Sequence, residues 1–195
     1  MDHGRTAARI SLDRELARLL PTLPAGVVLD VGSRSAPYRS LVPATDYLTL
    51  DIDPAIGADV VGDIHDVPRP DDSFDTIICT EVLEHCRDPQ RAVDELRRLL
   101  RPGGVCVLST RFLFLYHPTP RDYFRFTADG LSELFREWSE VDIRHLGSRL
   151  EAAWMLVPRR GRLWGWFVGL FDPLVSSVRV RSTKAATGYV VRASK

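Results

Sequence analysis

The sequence is poor in the residues that build metal sites and disulfide frameworks. It holds three cysteines in 195 residues, Cys79, Cys86 and Cys106, and no two of them form a Cys-x-x-Cys pair. Cys79 and Cys106 lie in apolar strand-like runs, where a reduced cysteine behaves as a small hydrophobic residue. An odd count without a disulfide framework favours a reducing compartment. We therefore predict neither a metal site nor a structural disulfide.

Long apolar runs are also missing. No window reaches the roughly 18 consecutive apolar residues of a membrane-spanning helix, and the N-terminal stretch MDHGRTAARI lacks the apolar core of a signal peptide. The expectation is a cytoplasmic protein. The hydrophobic content of 45% and the charged content of 27% are typical of a globular domain.

The chain has no net charge, but its charges are unevenly distributed. Residues 144–195 hold ten Lys and Arg against two Asp and Glu, a balance of +8, whereas residues 1–143 hold sixteen against twenty-four, a balance of −8. The basic C-terminal part indicates either an anionic partner or a solvated basic face, and the sequence leaves both open.

What the sequence does contain is an alternation of strand and helix patterns. Apolar residues at helical spacing predict helices at 9–20 and 88–100, the second capped by Asp88 and opened by Pro89, and a further helix begins at Thr127. The predicted strands are GVVLDVG, DYLTLDID, FDTIICT, GVCVLST (entered through a Pro-Gly-Gly turn at 102–104), EVDIRHLG and TGYVVRAS. This alternation indicates βαβ units and a parallel sheet in a single α/β domain.

The segment 147–187, before the last strand, is predicted as a helical insertion or cap. It carries three of the four tryptophans, and Arg159, Arg160 and Arg162 precede an apolar stretch at 163–171. One interpretation is peripheral membrane contact through 163–171. The favoured one is a helix that packs on the domain or covers a substrate pocket, because the polar face of an interfacial helix is poorly defined here.

Acidic residues follow successive predicted strands. Asp30 ends the first strand beside Gly32, Asp51 ends the second, and Asp63 follows in GDIHDVP. Ligands of an open parallel sheet bind at the carboxyl ends of its strands, and a carboxylate about 20 residues after the first loop can accept hydrogen bonds from a ribose diol. Each acid alone has a plain structural explanation, as a cap or a turn residue. In this order they indicate a binding site.

These stretches resemble the class I S-adenosylmethionine-dependent methyltransferases, in particular the branch typified by the domain called methyltransferase type 11. VLDVGSRSAPY resembles the family's first motif, LTLDIDP its second, and residues 62–110 are similar to the long segment that follows. The resemblance runs from about Val27 to Phe135. It implies a Rossmann-like, mostly parallel seven-stranded sheet with helices on both faces. The cofactor-binding core would span about 25–146 of a single domain, 1–195.

The resemblance also implies which residues bind S-adenosylmethionine. Asp51 would hold the ribose hydroxyls, Asp63 would accept a hydrogen bond from the adenine amino group, and Glu81 would face the methyl-transfer site. The full implied set is Asp30, Gly32, Asp51, Ile52, Asp63, Ile64, Thr80 and Glu81.

The chain departs from the family's Asp-x-Gly-x-Gly-x-Gly loop at two positions, where Arg34 and Ala36 replace glycines. We expect Ala36 to be a mild change. Arg34 is the costly one, since a positive φ there costs a non-glycine residue of the order of 1 kcal/mol. Arg34 would either weaken cofactor binding or point outward toward an anionic substrate.

A second stretch, YHPTPRDYFRFTADGLSELF, resembles a segment of many methyltransferases of polysaccharide and glycan assembly. It follows GVCVLST and so lies at the ligand end of the sheet. Its candidate substrate-binding residues are Asp122, Tyr123 and Arg125. His117 is the first candidate for a general base and His85 the second. Core packing and a salt bridge of Arg125 with a nearby aspartate are the structural alternatives.

The preferred function is methyl transfer from S-adenosylmethionine to a small-molecule or glycan-precursor acceptor, with O-methylation favoured. The alternatives are a non-catalytic S-adenosylmethionine-binding protein, which Arg34 would support, and a nicotinamide-dependent oxidoreductase. The missing G-x-G-x-x-G pattern speaks against the oxidoreductase. A nucleic-acid substrate is not favoured, because neither an Asn-Pro-Pro-Tyr-like site nor a zinc framework is present. The acceptor and the oligomeric state are left open.

Overall fold

A computed structural model describes residues 6–118, 120–157, 162–178 and 185–195, and its centre is one seven-stranded sheet. The strand order is β3-β2-β1-β4-β5-β7-β6. The first five strands in this order pair in parallel with one another, and β7 runs antiparallel to both β5 and β6. The strands are β1 (Gly26–Val31), β2 (Ala44–Asp51), β3 (Val60–Val61), β4 (Phe74–Thr80), β5 (Leu100–Arg111), β6 (Glu140–Leu146) and β7 (Gly188–Ser194).

Helices cover both faces of the sheet, each over its own apolar cluster. Leu12, Leu16 and Leu19 of α1 pack with Val28 and Ile78 on one face. On the other face, Val93 and Leu96 of α2 and Leu131 of α3 belong to the larger cluster. The helices are α1 (Ala7–Leu19), α2 (Pro89–Leu99), α3 (Ala128–Leu134), α4 (Arg149–Met155), α5 (Arg162–Leu170) and α6 (Asp172–Ser177). The predicted fold class, a mostly parallel seven-stranded sheet with helices on both faces, is confirmed.

The sequence patterns located most elements and their caps. The Asp88 side chain accepts a hydrogen bond from the Arg91 amide at 3.0 Å, and Thr127 accepts one from the Gly130 amide at 3.0 Å, so both predicted caps are confirmed. One boundary was wrong, because β5 begins at Leu100, before the Pro-Gly-Gly segment. There Leu100 pairs with Phe74 and the register then shifts. The two-residue strand β3 is too short to leave a periodic pattern.

The three short helices α4 to α6 fall within 147–187, and buried acids of α4 and α6 anchor these two helices to the N-terminal helix α1. Asp172 accepts hydrogen bonds from the Ala7 amide at 3.0 Å and from the Trp154 indole at 3.1 Å. The Ser11 hydroxyl donates to Glu151 at 2.9 Å. Helix α5 buries Val168 but leaves Trp166 67% exposed.

The basic flank of the predicted membrane-contact segment 163–171 lies mostly outside the described residues. Arg159 and Arg160 are not described, and neither are the side chains of Arg162 and Leu163. Within the described ranges, no helix has both the length and the apolar character needed to cross a bilayer.

A pH-dependent stability is expected from Glu151, which is 1% exposed and carries one carboxylate oxygen without a hydrogen-bond partner among the described residues. Burial raises the pKa of Glu151 to about 7, against the lowering effect of the Ser11 hydrogen bond. The folded pKa lies above the unfolded one, so this contribution to stability is present in full at low pH. It is lost as the pH rises through about 7.

We predict that Glu151→Gln raises the free energy of unfolding at pH 8 by roughly 1–3 kcal/mol and leaves it nearly unchanged at pH 5. Urea unfolding at the two pH values measures this. Glu133→Gln is the control, because Glu133 is an exposed carboxylate paired with Arg136. A Glu151→Gln gain that is equal at both pH values would contradict the assignment.

Candidate functional site

A cavity of about 1030 Å³ opens at the carboxyl ends of the parallel strands, where the strand order reverses between β1 and β4. The loops after these two strands run to opposite faces of the sheet and leave a crevice between them. All thirteen residues predicted for the site line this cavity: Asp30, Gly32, Asp51, Ile52, Asp63, Ile64, Thr80, Glu81, His85, His117, Asp122, Tyr123 and Arg125. The structure therefore brings together residues that are up to 95 positions apart in the chain.

The loop after β1 passes close to β4 at Gly32. The φ of Gly32 is +64°, and a Cβ there would lie 2.5 Å from a methyl carbon of Val82. Both observations require glycine. Beside it Asp30 is fully buried, and the Tyr47 hydroxyl donates to its Oδ2 at 2.6 Å. Among the described residues, Asp30 Oδ1 has no hydrogen-bond partner.

Burial raises the pKa of Asp30 to about 6, and the Tyr47 hydrogen bond opposes that rise. Among the described residues, Asp30 has a carboxylate oxygen free to accept a hydrogen bond, and Gly32 beside it has no side chain to block a ligand. Together they fit the amino-acid end of a cationic ligand. An ammonium group placed there would satisfy Oδ1 and favour the charged form.

The residues that replace the family's later glycines both take left-handed backbone conformations. Arg34 has a φ of 49°, as expected from the family pattern, and its exposed side chain lines the cavity. Ala36 has a φ of 47°, so the expectation that it is only a mild change was wrong. Ala36 follows in the same turn, its amide donating to the Ser33 carbonyl at 2.9 Å. Each residue stores strain of about 1 kcal/mol.

The ends of β2 and β3 form the second wall of the cavity. Asp51 is the last residue of β2, and its Oδ1 accepts a hydrogen bond from the Asp53 amide at 3.0 Å. Ile52 lines the cavity and is 62% exposed, so its apolar side chain is available to stack against a planar ring of a ligand. Asp63 accepts from the backbone amide of His65 at 3.0 Å and from its ring at 2.5 Å. These positions agree with the predicted ribose and adenine contacts, which stay predictions.

Glu81 connects the end of β4 to the end of β5. Its φ is 59°, another left-handed conformation of a non-glycine residue. The Glu81 amide donates to the Ser109 carbonyl at 2.9 Å, the Ser109 hydroxyl donates to Glu81 Oε1 at 2.9 Å, and Arg111 forms an ion pair with Oε2. Thr80, placed past the end of this strand by the resemblance, is the last residue of β4.

Four polar residues of the site were not predicted from the sequence: Ser109, Thr110 and Arg111 on β5, and Glu84 in the turn after β4. Ser109 and Arg111 hold Glu81, and the Thr110 hydroxyl donates to the buried Glu84 at 2.8 Å. The available signal was their position, since Ser109 and Thr110 end the predicted strand GVCVLST at the ligand side of the sheet and Arg111 follows it directly. Nothing in the sequence indicated that Glu84 is buried.

The loop after β5 is tied to the site by polar contacts. A ring nitrogen of His85 bonds the Arg121 carbonyl, and the His85 and His117 rings lie 5.4 Å apart. The His117 amide donates to Asp122 at 2.7 Å, and Arg125 forms a two-point ion pair with the same carboxylate. Both oxygens of Asp122 are therefore engaged inside the loop. The salt bridge between Asp122 and Arg125 is the structural alternative of the sequence analysis.

Tyr123 and His117 remain accessible to a ligand. Tyr123 is 40% exposed, and its hydroxyl accepts a hydrogen bond from Arg87 at 2.9 Å. Burial lowers the pKa of His117, and the nearby charges of His85, Arg111 and Arg125 lower it further. His117 is therefore neutral at pH 7 and able to accept a proton. Within the described ranges, no group of three or more His, Cys, Asp or Glu side chains is placed to hold a metal ion.

Residues 29–108 match the family model described as a methyltransferase domain. The chain is also 33% identical over 113 residues to a Mycolicibacterium smegmatis protein named "Probable S-adenosylmethionine-dependent methyltransferase", covering 47% of this chain and 44% of that one. Both matches support the class I S-adenosylmethionine-dependent methyltransferase family for this chain. S-Adenosylmethionine is the cofactor of this family.

The chain is also related to other curated proteins over part of their length. The malonyl-[acyl-carrier protein] O-methyltransferase of Methylococcus capsulatus is 30% identical over 136 residues, covering 61% of this chain and 44% of that one. The matches span less than half the length of these two relatives. The crystal structure of a SAM dependent methyltransferase from Archaeoglobus fulgidus superposes with a TM-score of 0.65 at 13% identity, covering 100% of this chain and 97% of that one. At that identity the superposition shows the fold alone.

We predict that Ala36→Gly raises the free energy of unfolding by up to about 1 kcal/mol, because glycine adopts a positive φ without the Cβ clash. The larger entropy of glycine in the unfolded chain offsets part of this gain. Ser35→Gly is the matched control in the same loop, since Ser35 is not among the residues with positive φ. Chemical unfolding compares the two variants. A Ser35→Gly gain as large as that of Ala36→Gly would show that strain is not the cause.

Proposed function

We propose that this methyltransferase transfers the methyl group of S-adenosylmethionine to an oxygen atom of a small-molecule or glycan-precursor acceptor. The observation that carries the proposal is that one cavity is lined by both the implied cofactor residues and the loop after β5. O-Methylation is favoured because a relative whose match covers 61% of this chain is named an O-methyltransferase.

The cofactor half of the cavity would be formed by the ends of β1, β2 and β3. Asp51 would accept hydrogen bonds from the ribose hydroxyls, Ile52 would stack on the adenine, and Asp63 would accept from its amino group. Asp30 Oδ1 and the open space at Gly32 suit the methionine end. When bound, S-adenosylmethionine supplies an electrophilic methyl group on its sulfonium, so the protein's task is alignment.

The acceptor half would be formed by the loop after β5. An imidazole nitrogen of His117 would take the proton of an acceptor hydroxyl, for which its lowered pKa keeps it neutral near pH 7. His85 would act as a positioning residue, because its ring contacts the Arg121 carbonyl and the His117 ring. Tyr123 would offer an exposed aromatic face to the acceptor.

Cofactor binding is tested by calorimetric titration with S-adenosylmethionine and S-adenosylhomocysteine. We predict that Asp51→Ala weakens both by about tenfold or more, because it removes a charged acceptor from two hydroxyl groups. Asp46→Ala is the matched control, as Asp46 is an exposed carboxylate on the same strand that does not line the cavity. A folded wild type that binds neither ligand would count heavily against the proposal.

The same preparation separates the alternative functions. A non-catalytic protein would bind S-adenosylmethionine but release no S-adenosylhomocysteine with any acceptor, and the strained Arg34 and Ala36 favour this second candidate. An oxidoreductase would change NADH fluorescence on mixing, which the methyltransferase would not do.

We further propose that helices α5 and α6 contact anionic membranes. Trp166, Leu170 and Leu174 are each more than half exposed. The two acids of residues 144–195, Glu151 and Asp172, are each 1% exposed, and the sequence of this part of the chain has a charge balance of +8. Exposed apolar and aromatic side chains in a basic part of the chain suit an anionic lipid surface.

We predict that Trp166→Ala/Leu170→Ser reduces pelleting with vesicles of phosphatidylcholine containing about 30% phosphatidylglycerol, because it removes apolar area that would enter the interface. Val141→Ala, at an exposed apolar position on β6, should pellet like the wild type. If the wild type stays in the supernatant with these vesicles, the membrane contact is wrong.

A further inference from the structure

Arg111 presents an unused hydrogen-bond donor to the acceptor side of the cavity. It is the last residue of β5, lines the cavity, and has a side chain only 11% exposed. The Nε atom of its guanidinium pairs with Glu81, and its Cζ atom lies over the Phe114 ring, 4.5 Å from the ring centroid. The Nη1 atom is buried and has no hydrogen-bond partner among the described residues. A buried guanidinium nitrogen without an acceptor is costly, so a partner for it is expected.

Further arginines surround this group. Arg9 and Arg125 also line the cavity, and both oppose the positive charge of Arg111 electrostatically. Burial, followed by the charge of Arg9, lowers the pKa of Arg111 to about 10, against the raising effects of Tyr38 and Glu151, and this value still leaves Arg111 charged at pH 7. Arg9 lies 3.0 Å from Asp13, and Arg125 is paired with Asp122. Both of those carboxylates are therefore engaged away from Arg111 Nη1.

The balance of charge on this side of the cavity favours an anion. Arginines at positions 9, 111, 121 and 125 line it, against acids at 81, 84 and 122. Burial raises the pKa of Glu84. An anion beside Arg111 would relieve the repulsion between the arginines and fill the open donor position.

We propose that the acceptor carries a carboxylate or phosphate group, bound by Nη1 of Arg111 with Arg9 as the second positive charge. This rests on the proposed function, since it names the acceptor class of the same cavity. A guanidinium suits both anions, because its fork of donors matches their paired oxygens. The binding group is distinct from the hydroxyl that would be methylated. Arg111 is therefore a specificity-determining residue of the acceptor side.

The test uses three small aromatic probes that differ in charge: benzoate, phenyl phosphate and the neutral benzamide. Ligand-observed NMR gives their dissociation constants, with and without saturating S-adenosylhomocysteine. The wild type should bind at least one of the two anions about tenfold or more tightly than benzamide, as expected for a charge-assisted hydrogen bond in a buried site. Which of the two binds more tightly distinguishes a carboxylate from a phosphate acceptor.

Variants assign the preference to particular side chains. Arg111→Lys keeps the charge but loses the planar fork, and Arg9→Gln leaves the pair of Arg111 and Glu81 intact. Both should reduce the preference for anions several-fold, with melting temperatures recorded to confirm folding. Arg18→Gln is the matched control, because Arg18 lies on the same helix as Arg9, pairs with Glu15 and does not line the cavity.

The outcomes separate this inference from the cofactor assignment. Wild-type protein that binds S-adenosylhomocysteine but binds the anions no better than benzamide would overturn the anionic acceptor alone. An anion preference unchanged in both Arg111→Lys and Arg9→Gln would also overturn it. Absence of S-adenosylhomocysteine binding would instead contradict the proposed function, and the titrations without this ligand would still decide whether the cavity prefers anions.

Discussion

The parallel pairing of β1 with both β2 and β4 is the constraint on which the site depends. Chain order runs outward from β1 in both directions, so the connections after β1 and β4 leave toward opposite faces and cannot close the space between them. The two apolar clusters fix this arrangement by covering each face of the sheet. Every predicted site residue then reaches the same crevice because it lies at the carboxyl end of a strand or in the segment that follows one.

The sequence predicted the elements whose signals are local. The strand at FDTIICT, the cap of α2 at Asp88 and the cap of α3 at Thr127 each depend on residue types within a few positions, and all three are confirmed. The strand β3 and the start of β5 depend on pairing with distant segments. Leu100 enters β5 because it pairs with Phe74, and no local pattern encodes that contact.

Strain and burial in the site were harder to predict, since both are properties of the assembled loops. The family pattern indicated a positive φ at Arg34, but the same conformation at Ala36 was underestimated. Alanine is small, and its size hides the cost that its Cβ imposes in this region of φ. Arg111 was overlooked for a related reason. An arginine at a strand end has the pattern of a surface residue, and only the fold shows that its side chain is 11% exposed.

Glu81 shows how the strain of the site is maintained. A non-glycine residue holds a left-handed conformation only where its surroundings over-determine it. Glu81 is fixed by the Ser109 carbonyl, the Ser109 hydroxyl and Arg111, all on the neighbouring strand. The same carboxylate stands between an acidic half of the cavity, suited to a cationic sulfonium, and an arginine-rich half. Because Arg111 neutralises part of its charge, Glu81 would face the cofactor without repelling the proposed anionic acceptor. The conformation that costs energy in the fold would thus place a single carboxylate between two ligands of opposite charge.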